Sequence, residues 1–502
     1  MGSEMCIRDR CFTFATAPNV LAQEGGNTDE MNASLVAGYK AALTCSATFN
    51  AGQTLGEIDA NELTGIYPDY RELFAALPAA RIDNTKKTVS VRYSRSATPR
   101  IAVWREGMGC AQLPPGADIS AARYLPSFNG WRTETANDAT SVIGSNTNVA
   151  LKAEFYEILD APVTFAFDGA TYGEDTQTSA VVVVQDGQVV AERYDRGIDA
   201  NTPQRTWGAA KSITATVIGA AVQDGLIGLD NPAVIERWSG GADPRRAITL
   251  RNLLQMASGL DSGVSGSRTD RIYFGGGRVE DHAIGGTLEA DPGTRFKYAN
   301  NDTLAAMRAL REVLRTDAKY HAYPYAELLW KIGATRTVLE TDWNGDFISS
   351  SQVWTTARDL ARIGQLYVQN GRWGNEQIIH PDYIKFVSAP GAAQPLGDGF
   401  KYGAQFWLLG DQPGVPQDAF AAMGQRGQYL VIIPSTKTVI VRRGYDASGG
   451  GRFDIAAFAR DISRAVAAAN AREEAAEQAA RDAVQAQYEE ELAAYEEEYG
   501  DK

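Results

Sequence analysis

Short apolar runs separated by turn signals lie at both ends of the central part of the chain. Residues 179–185 and 188–194 predict two strands, and the Asp186-Gly187 pair between them is typical of a tight β-hairpin. Residues 428–433 and 438–443 predict a second strand pair. With a helical middle between the two pairs, this order predicts an α+β domain whose single antiparallel sheet is built from both ends of the domain.

The middle of the chain and the region before the first hairpin show other patterns. Residues 209–223 carry apolar side chains at helical spacing and stop before Gly225, which predicts a buried helix. Residues 31–44 predict a shorter helix, and alternation in 88–93 and 100–104 predicts strands of a separate lobe. We therefore divide the chain into four segments: an N-terminal piece at 1–22, an N-terminal lobe at 23–161, the main domain at 162–470 and a tail at 471–502.

Charge separates the tail from the rest of the chain. The 502 residues are 44% hydrophobic, which is enough for two or three domains, and the net charge is −14. Eleven acids and three bases fall in residues 471–502, so the body is only mildly acidic and nucleic acid is not an expected partner. No run approaches the ~20 apolar residues of a membrane span. The tail predicts a solvated or frayed helix, with a partner contact as the alternative.

The first 22 residues look unlike the start of a folded domain. Residues 1–10 read MGSEMCIRDR, which resembles a sequence scar, and residues 11–22 resemble the end of a secretory signal. Val20 and Ala22 would be the small residues before the cleavage site, and a disordered arm is the alternative. A secretory signal would place the protein in the periplasm or outside the cell.

Two cysteines remain beyond that segment, Cys45 and Cys110. An even pair in an exported chain predicts one disulfide, and closing a loop of about 65 residues is worth roughly 4 kcal/mol in the chain-entropy model. Two buried free thiols are the alternative. The sequence contains no C-x-x-C motif and no Cys/His cluster, so we expect no metal and no other cofactor.

The chain has only three histidines, and it has neither a metal-binding histidine spacing nor a G-x-S-x-G elbow. An enzyme of this composition needs another base, such as a lysine or a tyrosine whose pKa is shifted by its surroundings. Lys211 lies in the first turn of the predicted helix, close to the positive end of the helix dipole. Tyr298 follows the Pro292-Gly293 turn and precedes another helix. Either residue alone more often has a structural role, so the sequence around each of them determines whether it is a candidate for catalysis.

Five stretches around these residues resemble the β-lactamase-related serine hydrolases, the group of class C β-lactamases, DD-peptidases, related esterases and 6-aminohexanoate-dimer hydrolases. The resemblance implies a serine β-lactamase/DD-peptidase-like fold, an antiparallel sheet flanked by helices with a helical subdomain, to which the N-terminal lobe is added as in one exported branch. It implies hydrolysis of small-molecule amides or esters through an acyl-enzyme without a cofactor, and it leaves the oligomeric state open. The matching stretches follow the family's order: 206–219, 250–260, 292–302, 349–362 and 423–444.

The family's chemistry uses three motifs, S-x-x-K, Y-x-N and a third strand motif, K/H-x-G. The serine attacks the carbonyl, the lysine and the tyrosine move the proton, and two backbone N–H groups hold the oxyanion. In the third motif a glutamine replaces the usual cation, and the arginine that follows it is an alternative source of charge. By resemblance the roles fall on Lys211 (S-x-x-K), Tyr298 and Asn300 (Y-x-N), Gln425, Arg426 and Gly427 (third motif) and the Gln428 N–H (second oxyanion donor).

The nucleophile position departs from the family pattern, because counting back from Lys211 it is Gly208. Ser212 follows the lysine and points about 100° away on a helix, so it does not replace the missing hydroxyl. Three interpretations stay open: a native pseudoenzyme that binds a carbonyl compound, an altered codon in an active hydrolase, or a water activated by Lys211 and Tyr298. We predict a serine hydrolase whose activity in this form is weak or absent, with a non-catalytic binding or regulatory protein as the alternative.

Overall fold

The computed structural model describes residues 5–6, 11–12, 28–128, 153–262, 269–397 and 399–499. The scar and signal remnant predicted for residues 1–22 therefore lie almost entirely outside the described residues. The α-helices are α1 (Thr28–Phe49), α2 (Leu55–Glu57), α3 (Arg71–Ala76), α4 (Ala153–Phe165), α5 (Ala210–Gln223), α6 (Leu250–Leu254), α7 (Asp270–Tyr273), α8 (Val279–His282), α9 (Asn300–Leu314), α10 (Asp317–Pro324), α11 (Ala357–Val368), α12 (Pro381–Val387) and α13 (Ile455–Tyr499).

The strands of the described residues are between two and eight residues long. They are β1 (Met5–Cys6), β2 (Cys11–Phe12), β3 (Arg81–Asp83), β4 (Thr88–Val91), β5 (Arg100–Arg105), β6 (Gly109–Gln112), β7 (Thr178–Gln185), β8 (Gln188–Tyr194), β9 (Gln204–Arg205), β10 (Val338–Leu339), β11 (Val353–Thr355), β12 (Arg372–Trp373), β13 (Glu376–Gln377), β14 (Lys401–Tyr402), β15 (Trp407–Leu408), β16 (Phe420–Gly424), β17 (Gln428–Ile433) and β18 (Thr438–Gly444). Short segments of 3₁₀ or π helix lie at Ile58–Glu62, Pro68–Tyr70, Ile119–Tyr124, Trp207–Ala209, Glu236–Trp238, Pro244–Ala247, Tyr325–Leu329 and Pro434–Thr436.

A seven-stranded sheet forms the centre of the main domain. Every neighbouring pair is antiparallel, in the order β14-β15-β16-β17-β18-β7-β8. The last strand pair of the domain thus lies beside the first hairpin, because β18 pairs with β7. Asp186 and Gly187 have φ values of 46° and 82°, as a two-residue hairpin turn of type I′ requires. The predicted α+β architecture with one sheet built from both ends of the domain is confirmed.

Apolar side chains pack on both faces of this sheet. Val182 and Val184 point into the larger core, which also contains side chains of α5, α9 and α11. Val181 and Val183 point into a second core with α4 and α13. Successive side chains of a strand alternate between faces, which is why the run at 180–184 is apolar throughout. α4 runs across residue 161 and packs on this sheet.

The N-terminal lobe contains a four-stranded antiparallel meander in the order β3-β4-β5-β6. α1 packs across β4, β5 and β6. The small core between them contains Val89, Val91 and the Cys45–Cys110 disulfide, which joins α1 to β6. The disulfide predicted from the number of cysteines is therefore present.

The last helix continues beyond the packed part of the molecule. α13 packs against the sheet in its first four turns, and the side chains of residues 471–495 are almost all exposed. Among the residues that the structure describes, no helix is both long enough and apolar enough to cross a membrane.

Candidate active site

A strained turn leads the chain from β9 into α5. Trp207 has a φ of 50°, in a left-handed region that costs a bulky residue about 1–3 kcal/mol. The Arg205 guanidinium lies 3.8 Å from the centroid of the Trp207 ring, and Arg205 donates a hydrogen bond of 2.9 Å to the Ser351 hydroxyl. These contacts hold the turn, whose next residue is Gly208. The predicted nucleophile position therefore lies just before the first turn of α5.

Gly208 faces a narrow space beside Tyr298. A Cβ atom built on Gly208 would lie 2.9 Å from the Tyr298 Oη and 2.9 Å from the Met423 carbonyl oxygen, with the Gly424 Cα 3.5 Å away. A side chain at position 208 would therefore point at the tyrosine hydroxyl. Because 2.9 Å is shorter than real Cβ contacts, the absence of a side chain allows these groups to approach closely.

Lys211 lies three residues further along, on the buried side of α5. Its Nζ donates hydrogen bonds to the Asn300 Oδ1 at 2.5 Å and to the Ser350 carbonyl oxygen at 2.9 Å. The same Nζ lies 5.0 Å from the centroid of the Tyr298 ring. Burial lowers the pKa of Lys211 to about 7, because the charged amine is deprived of water. Near neutral pH a large fraction of the amine is thus able to accept a proton.

Tyr298 lies between the lysine and a wall of aromatic side chains. Its ring centroid is 5.5 Å from that of Trp407 and 6.1 Å from that of Tyr402. Burial raises the pKa of the Tyr298 hydroxyl above its usual value, so the group stays protonated over the physiological range. Among the described residues, no atom forms a hydrogen bond with the Tyr298 hydroxyl. A phenol that is held by its ring and unbonded at its oxygen can give a proton to a bound molecule.

Asn300 holds the lysine and is itself held at the start of α9. Its Oδ1 accepts the bond from Lys211, and its Nδ2 donates to the Thr269 Oγ1 at 2.9 Å. Two residues further on, the buried Asp302 accepts a bond of 2.7 Å from the Ser258 hydroxyl. Burial raises the pKa of Asp302 to about 7. This second pair ties α9 to the segment after α6, so the position of the Y-x-N residues at the start of α9 is fixed.

The third motif forms the three-residue loop between β16 and β17. Gly424 packs so closely on the turn before α5 that a Cβ there would collide with the Thr206 carbonyl oxygen. The Met423 carbonyl lies on the strand edge that faces Gly208. Alternate residues of a strand direct their N–H and C=O groups to the same edge, so the Gln425 N–H follows on that edge. Gln428 instead pairs with Gly424 across the hairpin. The register therefore directs the Gln425 N–H, rather than the Gln428 N–H predicted from the sequence, to the edge that faces Gly208.

Arg426 does not supply the positive charge that the sequence suggested for the third motif. Its guanidinium is buried and donates to the backbone carbonyls of four residues. The acceptors are Glu62 at 3.3 Å, Thr64 at 2.9 Å, Tyr445 at 3.1 Å and Asp446 at 3.1 Å. The Gln428 side chain is also buried, since it donates to the Arg426 carbonyl and accepts from Arg443. The exposed side chain of the motif is Gln425.

The N-terminal lobe contributes a residue that nothing in the sequence marked. Tyr67 donates a hydrogen bond of 2.8 Å to the Gln425 Oε1, and its ring lies edge-on to that of Trp207 at 6.1 Å between centroids. The two residues joined by this bond are 358 positions apart in the chain. Ser350, by contrast, belongs to a stretch that already resembled the family. The structure thus brings Gly208, Lys211, Tyr298, Asn300 and Gln425 to one site, and it keeps Arg426 and the Gln428 side chain away from it.

The side chains that hold metal ions in proteins are chiefly those of His, Cys, Asp and Glu. Within the part of the chain that the structure describes, no three His, Cys, Asp or Glu side chains group in a way that could hold a metal ion. The groups that can act on a substrate here are an amine, a phenol, a carboxamide and backbone amides.

Comparison with known proteins identifies the family. The Beta-lactamase family model matches residues 168–461, more than half of the chain. The chain therefore belongs to the β-lactamase family of hydrolases, and the family expected from the sequence is confirmed.

Two curated proteins and one solved structure illustrate the similarity. The chain is 28% identical over 365 residues to the 6-aminohexanoate-dimer hydrolase of Paenarthrobacter ureafaciens, covering 65% of this chain and 90% of that protein. It is 22% identical over 292 residues to an uncharacterised protein of Alkalihalophilus pseudofirmus, covering 53% and 84%. A solved Bacillus anthracis structure proposed to be a 6-aminohexanoate-dimer hydrolase has 24% identity, a TM-score of 0.50 and coverage of 60% and 81%. The predicted β-lactamase/DD-peptidase-like fold is confirmed.

Proposed function

We propose that this chain carries the acyl-transfer machinery of an amide or ester hydrolase, and that position 208 is the place of its nucleophile. One observation carries the proposal: a Cβ on Gly208 would point at the Tyr298 hydroxyl, three residues before a buried lysine whose pKa is about 7. A serine hydroxyl at that position would have a base and an acid within reach. With glycine there, the chain forms no acyl-enzyme.

The chemistry of the serine form follows from the groups around the cleft. The Lys211 amine accepts the proton of the serine hydroxyl as its oxygen attacks the substrate carbonyl. The N–H groups of residue 208 and Gln425 stabilise the negative charge on the carbonyl oxygen. Tyr298 then gives a proton to the leaving amine or alcohol, and water releases the acyl group by the reverse sequence. Losing the nucleophile from such a unit costs ~10⁶ in kcat, or roughly 8 kcal/mol of barrier.

The substrate class that the cleft favours is a neutral amide or ester. A substrate carboxylate is best recognised by a cation at the third motif, but Gln425 is uncharged and the Arg426 guanidinium is bonded to backbone carbonyls. The similarity to a protein named as a 6-aminohexanoate-dimer hydrolase supports an amide as substrate, since a dimer of an amino acid is joined by an amide bond. We therefore propose short-chain esters and linear amides rather than β-lactams.

The test is the pair of variants Gly208→Ser and Gly208→Ala, each compared with the unaltered chain. Labelling by a fluorophosphonate probe and hydrolysis of p-nitrophenyl butyrate are measured. We expect the serine variant to be labelled stoichiometrically and to hydrolyse the ester, while the alanine variant and the glycine chain stay at background. A folded serine variant that stays unlabelled would show that the nucleophile position is wrong. Ester turnover by the glycine chain well above background would instead favour an activated water.

A binding protein on the same scaffold is the second candidate. The close approach of the Tyr298 Oη and the Met423 carbonyl to the Cβ position favours it, because the site is packed around a glycine. In that case the unaltered chain binds a short amide such as N-acetylglycinamide, and the serine substitution adds no labelling. Ligand-observed NMR on the glycine chain measures this binding directly.

We also propose that the protein is exported to the periplasm or beyond the cell. The Cys45–Cys110 disulfide supports this location, because such bonds persist in oxidising compartments. Fractionation of cells that produce the full chain tests it, with a cytoplasmic protein as the marker of leakage. Recovery of the chain only with that marker would contradict export.

A further inference from the structure

Tyr67 reaches the rim of the candidate site from the N-terminal lobe. The Tyr67 hydroxyl donates to the Gln425 Oε1 at 2.8 Å, and its ring meets Trp207, the residue before Gly208. Tyr67 is 8% exposed, whereas Gln425 is exposed. A buried phenol of the lobe therefore forms a hydrogen bond with the exposed side chain of the third motif.

This hydrogen bond fixes the orientation of the Gln425 carboxamide. A carboxamide has an accepting oxygen at one end and a donating NH₂ group at the other. Because the oxygen accepts the Tyr67 proton, the NH₂ group is turned away from Tyr67. No described residue accepts a hydrogen bond from that group. The third motif thus presents a neutral donor where the family pattern has a cation.

Tyr67 is itself held firmly from two directions. Arg426 binds the carbonyls of Glu62 and Thr64, which anchors the segment just before Tyr67. The Tyr39 ring packs edge-on against Tyr67 at 6.2 Å between centroids. A hydrogen-bond donor whose orientation is already fixed by a packed side chain loses little conformational entropy when a ligand binds.

We propose that Tyr67 is a positioning residue that makes Gln425 select substrates carrying an uncharged hydrogen-bond acceptor, such as an amide carbonyl, beside the scissile bond. The proposal rests on the proposed function, because it assigns the third-motif side of the same cleft. It gives the N-terminal lobe a part in substrate choice and none in the chemical step.

The experiment compares two activated esters in the Gly208→Ser background. One is the p-nitrophenyl ester of N-acetylglycine, which carries an amide, and the other is p-nitrophenyl pentanoate, of the same length without one. We expect kcat/KM to favour the amide ester. Tyr67→Phe should lower this preference about fivefold, the effect of roughly one hydrogen bond, mainly through KM. Gln425→Leu should abolish the preference, and adding Tyr67→Phe to it should change nothing further.

Tyr39→Phe is the matched control. It removes a hydroxyl from the same aromatic cluster, and the Tyr39 hydroxyl has no hydrogen-bond partner among the described residues. This variant should keep the preference. If Tyr67→Phe and Tyr39→Phe have equal effects, or if Tyr67→Phe slows both esters alike, Tyr67 is only structural and the inference fails.

Fluorophosphonate labelling separates this failure from that of the proposed function. A labelled serine variant whose ester preference ignores Tyr67 overturns the inference alone. If the serine variant is not labelled, the proposed function fails, and binding of N-acetylglycinamide to the unaltered chain takes over as the readout. The inference then requires Tyr67→Phe, but not Tyr39→Phe, to weaken that binding about fivefold. Equal binding by the three proteins overturns it.

Discussion

The two sides of the candidate site differ in how their residues are held. On the lysine side, Lys211 donates hydrogen bonds to both Asn300 and the Ser350 carbonyl inside the main domain. On the third-motif side, Gln425 is exposed and is held by Tyr67 of the N-terminal lobe. The lysine side is a buried polar network in which the Lys211 amine has two hydrogen-bond acceptors. The third-motif side is a surface that a second part of the chain completes.

This difference would allow a nucleophile at position 208 to be lost while the lysine side remains. Removing Lys211 or Asn300 would leave a buried partner without its hydrogen bond, at a cost of about 1–3 kcal/mol. A side chain at position 208 would face the cleft and is not part of that network. The fold therefore retains the lysine side whether or not the protein is a catalyst. The presence of Lys211 and Asn300 is thus weaker evidence for catalytic activity than their burial is evidence for a structural role.

The largest expected effect comes from removing the lysine of the site in the Gly208→Ser variant. Adding Lys211→Ala to Gly208→Ser should lower the rate of fluorophosphonate labelling by about 10³-fold, because the serine loses its general base. The rate is measured by stopping the labelling reaction at successive times and quantifying the labelled protein by mass spectrometry. Gln425→Leu in the same background is the control from the other side, and it should keep labelling within a few-fold of the serine variant. Equal losses in the two variants would contradict the division of the site.

Removal of the disulfide should damage the third-motif side first. Replacing Cys45 and Cys110 by alanine should lower the free energy of unfolding by roughly 4 kcal/mol, since the bond closes a long loop and joins α1 to β6. Urea unfolding measures the loss. The Cys110 N–H also donates a hydrogen bond of 2.9 Å to the buried Glu340 of the main domain. We therefore expect loss of the disulfide to weaken the contact between the N-terminal lobe and the main domain.

In the Gly208→Ser background, the disulfide-free variant should lose its preference for the amide ester while it keeps the pH dependence set by Lys211. The parent serine variant, measured in the same buffer without reductant, is the control. An unfolding midpoint equal to that of the parent would contradict a stabilising role for the bond, and an unchanged ester preference would contradict its link to Gln425.

The pH dependence of the serine variant should report Lys211. The amine accepts the serine proton only when it is unprotonated, and burial places its pKa at about 7. Labelling by the fluorophosphonate should therefore be half-maximal near pH 7, level off above about pH 8 and fall tenfold per unit well below 7. The raised pKa of Tyr298 keeps its hydroxyl protonated over this range. The glycine chain gives the background at each pH, and a midpoint above about pH 9 would exclude Lys211 as the base.

The same contrast describes what the sequence could predict. The hairpin at Asp186-Gly187 and the buried helix follow from local turn residues and periodicity, so they appear in a single sequence. Lys211 and Tyr298 could be assigned because the stretches of sequence around them resemble those of a known family. The orientation of Arg426 and the contact of Tyr67 depend on how the lobe docks on the main domain. Contacts between residues more than 350 positions apart leave no local pattern, and they decide the third-motif side.

The smallest expected effect concerns the space at Gly208 itself. Gly208→Ala should lower the free energy of unfolding by about 1 kcal/mol, because its Cβ would press on the Tyr298 Oη and the Met423 carbonyl. In the Tyr298→Phe background the penalty should shrink, since one of the two opposing oxygens is gone. Gly241→Ala is the control, as a Cβ there meets open space and the backbone is unstrained. Urea unfolding of the four variants gives the values.

The size of this small effect discriminates between the origins of the glycine. A penalty that Tyr298→Phe relieves means that the cleft has packed around glycine, as a chain long without its nucleophile would do. Gly208→Ala and Gly241→Ala with equal stability would mean that the space for a side chain is still open. An open space is what a recent change from serine would leave, because the residues around it would still fit the hydroxyl. The lysine side is the same under both outcomes. Only the packing around position 208 therefore distinguishes a long absence of the nucleophile from a recent change from serine.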